Sequence, residues 1–213
     1  MKTIVKGLPD PSLAQALKDG LTWEEFHHDR HDDYLAVRNQ GLNEQGEECA
    51  YTGLWLGEGT SYKLHIDHYR KKSIYPGLRF DWNNLFVAAK DLSYGADYKD
   101  KRISGTQATT DQIYESILSP LNPNLNEKFW CQQNGNLIPR QNLSPEEKAV
   151  VKKTIDIFNL NDEKLKAKRQ DVIRMVGQCK DLSSEEIREW FKNLGFSFVI
   201  TQELNVRVKL KSV

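Results

Sequence analysis

The stretch from Lys63 to Lys99 constrains this chain most. Leu64-His65-Ile66-Asp67-His68 is an apolar segment that ends on an Asp-His pair. Trp82-Asn83-Asn84-Leu85-Phe86-Val87 follows, and a polar run then closes on Tyr98-Lys99. Tyr62 to Ile66 reads as a strand with Asp67 and His68 at its end. Leu85 to Ala88 reads as a second short strand, and a helix is expected from Lys90 or beyond. A carboxylate beside an imidazole at a strand end suits metal-assisted phosphodiester cleavage. The carboxylate holds a divalent cation and the imidazole takes a proton from the attacking water. Asn84, a short loop away, ties that loop down through its two donors and one acceptor. His65 shares a strand face with Asp67 and either touches the site or packs.

Charge supports a localised site. The 213 residues carry no formal net charge, with 28% charged side chains. Asp10 to Ala50 holds ten Asp/Glu against three Lys/Arg, whereas Tyr62 to Arg102 holds nine Lys/Arg against five Asp. That asymmetry suits a basic face beside an acidic surface, although ordinary solvated faces account for it equally well. Arg70, Lys71 and Lys72 fall in the loop after the first strand, where phosphates are met. Three widely spaced cysteines (Cys49, Cys131, Cys179) argue against a disulfide framework. No apolar run reaches transmembrane length and no signal-peptide pattern opens the chain, so no membrane role is expected and a reduced cytoplasm is the simplest home.

Along the chain, residues 1–20 read as an extended N-terminal segment with Pro9 and Pro11 around Asp10, apart from a short helix over Ser12 to Lys18. This segment either lies along its own domain or docks into a partner. Thr22-Trp23-Glu24-Glu25 is a capping box, and Phe26, Tyr34, Leu35 and Val37 give the following helix a buried face to about Asn39. His27 and His31 lie four apart on it, but no third ligand occurs at suitable spacing, so a polar surface is the better reading. Thr110 to Leu118 is expected helical, and Phe129 to Pro139 is expected to form a hairpin turning at Asn134-Gly135. Ser144-Pro145 opens a helix, Asn161 caps a second, and Ser183 or Ser184 starts a third that Gly195 closes. Phe196 to Ile200 and Val206 to Lys211 read as strands. They either pair as a hairpin or add the last strand to a partner's sheet.

The Asp67-His68 pair does not stand alone. Together with Met1-Lys2-Thr3-Ile4-Val5-Lys6 before Pro9, the Cys49-Ala50-Tyr51 step, and Ile66 to Ser73 with Tyr75-Pro76, it resembles the HNH (ββα-metal) nucleases. Leu121-Asn122-Pro123 and Leu160-Asn161 with Arg169 extend the likeness. Within that family it is most similar to the HNH subunit of the Septu anti-phage system, also found encoded with retrons. The likeness runs from residue 1 to about residue 170 and is poor beyond.

The resemblance implies an α+β fold, an HNH core embedded in a mainly helical domain. The organisation is then an N-terminal segment 1–20, a nuclease domain 21–140 and a helical C-terminal subdomain 141–213. It implies Asp67 as metal ligand, His68 as general base, and Asn84 as the residue that orients the loop. The third motif position falls nine residues after Asn84, at Ser93, a weaker ligand than His or Asn for a hard cation. Asp91 and Asp97 are nearby carboxylates, with Asp97 the preferred substitute. Mg²⁺ or Mn²⁺ is the implied cofactor, and Lys99 joins Arg70, Lys71 and Lys72 as a nucleic-acid contact. Where relatives carry two Cys-x-x-Cys pairs, this chain has Cys49, Thr52, Ala89 and Leu92. One thiol cannot build a tetrahedral zinc site, so no structural zinc is expected and the degenerate knuckle becomes a hydrophobic contact. The resemblance implies an SMC/ABC-type ATPase partner, and since no nucleotide-binding motif occurs in this chain, any ATP dependence is expected to come from that partner. DNA is the expected substrate. RNA, including tRNA, and a scaffold subunit without chemistry are the alternatives.

Overall fold

The computed structural model describes the backbone of residues 1–211 and the side chains of residues 1–208. The chain is α+β, with helices dominating and two small antiparallel sheets. Residues 1–9 are extended along the body of the protein: the Ile4 N–H donates to the Pro120 carbonyl (2.8 Å) and the Thr3 hydroxyl to the Asn122 carbonyl (3.0 Å). Lys6 reaches the Leu85 carbonyl (2.7 Å) with its ammonium 3.4 Å from the centre of the Trp82 ring. Val5 and Leu8 point outward and are exposed.

Helix α1 (Pro11–Lys18), the short helix expected here, starts at an Asp10 cap with Pro at its first position, one residue earlier than read. Thr22 and Glu25 form the expected capping box of α2 (Trp23–Asp29). Instead of continuing to Asn39, that helix breaks at Arg30 (φ −119°, ψ 46°), and α3 (His31–Glu44) starts anew. Two short strands, β1 (Leu64–His68) and β2 (Leu85–Ala89), pair antiparallel with Asp67 opposite Phe86 and His68 opposite Leu85. Every residue of β2 is buried because both faces of this hairpin are covered. Ile66 and Leu85 pack with Leu13, Trp23, Phe26, Tyr34 and Phe80 on one side. Phe86 and Ala88, opposite Asp67 and His65, join the main core on the other.

Helix α4 (Gly95–Arg102) lies against β2. Its entry is fixed from a distance: the Gly95 N–H donates to the Phe158 carbonyl (2.8 Å), with Gly95 at φ 73°, a conformation that favours glycine. Helix α5 (Gln107–Glu115) follows, then β3 (Phe129–Cys131) and β4 (Leu137–Pro139), the expected hairpin. Cys49 and Ala89 of the degenerate knuckle lie in the main core, but Leu92 is exposed, so the expected hydrophobic contact forms only in part.

Helix α6 (Pro145–Ile157) begins at a Ser144 capping box. Helix α7 (Glu163–Gln178) is capped by Asp162 rather than Asn161. Asn161 instead bonds both the N–H and the carbonyl of Leu137 (2.8 and 3.0 Å), pinning the second hairpin. Helix α8 (Ser184–Phe191) starts at a Ser183 capping box. The expected C-terminal strands are corrected outright: residues Ser197–Lys211 form one helix, α9. Its first N–H groups meet a carboxylate far away in the chain, Ser197 N–H and hydroxyl both donating to Glu48 (2.7 and 2.8 Å). Gln202 then bonds the Cys131 N–H and carbonyl, which fastens α9 to β3.

Candidate functional site

A cleft of about 350 Å³ opens at the C-terminal end of β1. Its walls include Trp23 and His27 of α2, His65, Asp67 and His68 of β1, Lys71 and Lys72 of the following loop, and Asp97 and Asp100 of α4. Strand alternation explains the β1 contribution, since His65 and Asp67 project from one face.

Asp67 and His68 are both buried. The Asp67 carboxylate is held by one oxygen: Tyr51 donates its phenol to Oδ2, and the Lys99 ammonium donates to the same atom at 2.8 Å. His68 packs edge-to-face against Trp23, with ring centres 4.5 Å apart. Burial is the main reason its pKa falls from 6.5 to about 4, so the ring is neutral at neutral pH. A carbonyl only accepts, so His68 Nε2, 3.0 Å from the Arg79 carbonyl, carries the proton. Nδ1 is then the acceptor, the form required of a general base.

Asn84 uses its full amide. The Arg70 N–H donates to its Oδ1 (2.7 Å), while its Nδ2 donates to the Arg70 carbonyl (3.0 Å) and the Leu78 carbonyl (3.2 Å). The Tyr69 N–H donates to the Asn84 backbone carbonyl (2.8 Å), extending the strand pairing by one residue. The loop from Tyr69 to Asn84, including the carbonyl that orients His68, is thereby closed on itself.

Among the other residues read from the sequence, Asp97 lies in the cleft and Ser93 does not. The Ser93 N–H donates to the Asp91 side chain (2.8 Å), and its carbonyl accepts from Asn159 (2.7 Å). Asp97 Oδ2 is buried without a hydrogen-bond partner, as is His65 Nδ1, and the pair's facing atoms are 4.0 Å apart. Lys99 needs correcting as a nucleic-acid contact. It is wholly buried, and its ammonium donates to the His68 and Tyr69 carbonyls (2.7 and 3.1 Å) as well as to Asp67. Burial opposes its charge, but Asp67 and Asp100 outweigh that and hold its pKa above the usual lysine value. Asp100 is itself pushed up by burial, against the pull of Lys99.

The loop cations divide similarly. Lys71 lines the cleft while donating to the Asp100 and Ile103 carbonyls (2.7 and 3.0 Å), and Lys72 lines it while paired with Glu24. Arg70 faces a separate hollow beside Tyr114 and is paired with Asp111. Sequence reasoning missed Tyr51, Trp23 and Asp100. The helical spacing of Ala96, Lys99 and Ile103 was the available signal that Lys99 faces inward.

Hard divalent cations prefer carboxylate oxygens, and a buried carboxylate oxygen without a partner calls for a cation or water. Asp97 Oδ2 is such an oxygen, and Asp67, whose Oδ2 is engaged by Tyr51 and Lys99, brings its other carboxylate oxygen to the same cleft. These are the residues that could hold a hard cation such as Mg²⁺ or Mn²⁺. Among the described residues, no group of three or more His, Cys, Asp or Glu is placed to hold a metal ion, so any ion here would rest on these two carboxylates together with water or substrate oxygens.

No family model matches the chain. It is 26% identical over 214 residues to an Escherichia coli protein named "Retron Ec83 putative HNH endonuclease", covering 84% of this chain and 81% of that protein. Among the described residues, no helix is long and apolar enough to cross a membrane.

Proposed function

We propose that this chain is a metal-dependent HNH endonuclease that hydrolyses phosphodiester bonds of DNA as a subunit of an anti-phage defence complex. The observation that carries the reading is the neutral, buried imidazole of His68 beside Asp67 at the end of β1, with its loop locked by Asn84. The order strand, locked loop, strand, helix is the one expected of a ββα unit and supports this reading, and the similarity to a retron protein supports a defence setting.

His68 Nδ1 takes the proton of the attacking water, and the Arg79 carbonyl keeps the ring in that tautomer. Asp67 and Asp97 would hold Mg²⁺ or Mn²⁺, which when bound polarises the phosphodiester and stabilises the leaving oxygen. Lys71 and Lys72 flank the approach of the phosphate backbone; Lys72 exchanges its partner Glu24 for phosphate. An SMC/ABC-type ATPase is the proposed partner, docking on the outward face of the N-terminal segment at Val5 and Leu8. A second reading, an HNH-fold scaffold without chemistry, draws on one observation: Ser93 lies outside the cleft.

The test is incubation of the chain, co-purified with its ATPase, with plasmid DNA and total RNA in Mg²⁺ or Mn²⁺. Cut plasmid with intact RNA is the expected result. Cut RNA alone would replace DNA as substrate. No cutting of either, with and without ATP, would bring the scaffold reading forward.

A further inference from the structure

Lys99 sits where a simple metal site would place no cation. Its ammonium has no exposed surface, and its three protons go to Asp67 Oδ2, the His68 carbonyl and the Tyr69 carbonyl. Asp100 Oδ1 lies 3.1 Å away as a second anion. Tyr51 donates to the same Asp67 oxygen. Oδ2 is therefore saturated, and Asp67 has one oxygen left for a ligand.

We propose that Lys99 is a positioning residue that keeps the free cleft from retaining a divalent ion, so that the ion is held firmly only together with a substrate phosphate. The inference rests on the hydrolase reading and adds the order of assembly. Lys99 acts through Asp67. It fixes the carboxylate and the backbone leading into the catalytic loop, and it sets a positive charge against any cation that Asp67 binds. Asp67 and Asp97 offer too few oxygens to enclose a hard six-coordinate ion, which leaves positions for water and phosphate. A phosphate supplies both a ligand oxygen and the negative charge that offsets Lys99. Ion and nucleic acid then strengthen each other's binding by the same factor.

The experiment is a Mn²⁺ titration of the full chain, followed by the electron paramagnetic resonance signal of free Mn²⁺. With metal alone, Lys99→Met should bind at least about tenfold more tightly than wild type, because the opposing charge is gone. A purely structural lysine predicts the reverse, since its removal loosens Asp67. Lys99→Met leaves two carboxylates without their cation, so folding is checked by circular dichroism. If that variant is unfolded, Lys99→Met/Asp100→Asn, which removes the ammonium with one of its anions, replaces it. In a second arm, a short DNA duplex added to His68→Ala should tighten Mn²⁺ by at least about tenfold, and by less when Lys99→Met is also present. Equal or weaker Mn²⁺ binding in both Lys99 variants, or no Mn²⁺ binding in any chain, overturns the proposal. So does a His68→Ala chain whose Mn²⁺ affinity DNA leaves unchanged. A chain that shows the Lys99-dependent affinity yet never cuts DNA would lose the hydrolase reading and keep the role of Lys99.

Discussion

Asn84→Asp isolates the hydrogen-bond logic of the loop from Tyr69 to Asn84, because it preserves shape and changes only polarity. Asn84 Oδ1 accepts from the Arg70 N–H at 2.7 Å, and an aspartate oxygen retains that bond. At Nδ2 an amide that donates to the Arg70 and Leu78 carbonyls becomes an oxygen facing two oxygens. Two buried hydrogen bonds are lost, at about 1 kcal/mol each, and a charge is buried against unsatisfied acceptors, bringing the total to about 4 kcal/mol. Asn84→Ala loses all three bonds without that repulsion and should cost about 3 kcal/mol. Protonation of the introduced carboxyl restores one donor, so its folded-state pKa lies above the unfolded one. The excess cost of Asn84→Asp should therefore shrink as pH falls. Urea denaturation of both variants and wild type, at neutral pH and in mildly acidic buffer, measures these differences. An Asn84→Asp variant within about 1 kcal/mol of wild type, or less damaged than Asn84→Ala, would refute the loop-lock argument.

Two further predictions concern the same unit and its surroundings. Burial lowers the His68 pKa from 6.5 to about 4, so the unfolded chain takes up the proton first as pH falls. Stability from the neutral ring is fully present above pH 6.5 and is lost toward pH 4, amounting to about 3 kcal/mol. Melting curves should show His68→Gln flattening that acid limb, and an unchanged limb would assign it to other groups. Val5→Asp/Leu8→Asp places charge on the exposed face of the N-terminal segment. Co-purification of the proposed ATPase partner should fall sharply with little change in melting temperature, whereas full retention would move the proposed dock elsewhere.

What could be read from the chain alone was local. The Thr22, Ser144 and Ser183 capping boxes and the turn at Asn134-Gly135 announce themselves within four residues. The strand ending on Asp67-His68 and the tie that Asn84 makes to its loop were legible because an apolar run and the donors and acceptors of an amide are properties of residue type. Lys99 was not, since its burial depends on Asp67, which lies 32 positions away, and a lysine among polar neighbours otherwise reads as solvated. The C-terminal helix was misread for a similar reason. Val206-Arg207-Val208-Lys209 alternates as a strand would, yet strand propensity depends on context. Here Glu48, 149 positions upstream, meets the first turn of α9, and α7 packs along it. The break at Arg30 also carries no Gly or Pro to mark it. Ser93 followed the motif's spacing, but Asn159 and Asp91 fix it away from the cleft.

The most direct test of the proposed hydrolytic site is single-turnover cleavage of a labelled DNA duplex by wild type and His68→Ala, with matched circular dichroism spectra. Loss of the general base should slow cleavage by at least about 100-fold while binding of the duplex persists. Undiminished cleavage by His68→Ala would contradict the assignment and place the chemistry outside the Asp67-His68 cleft.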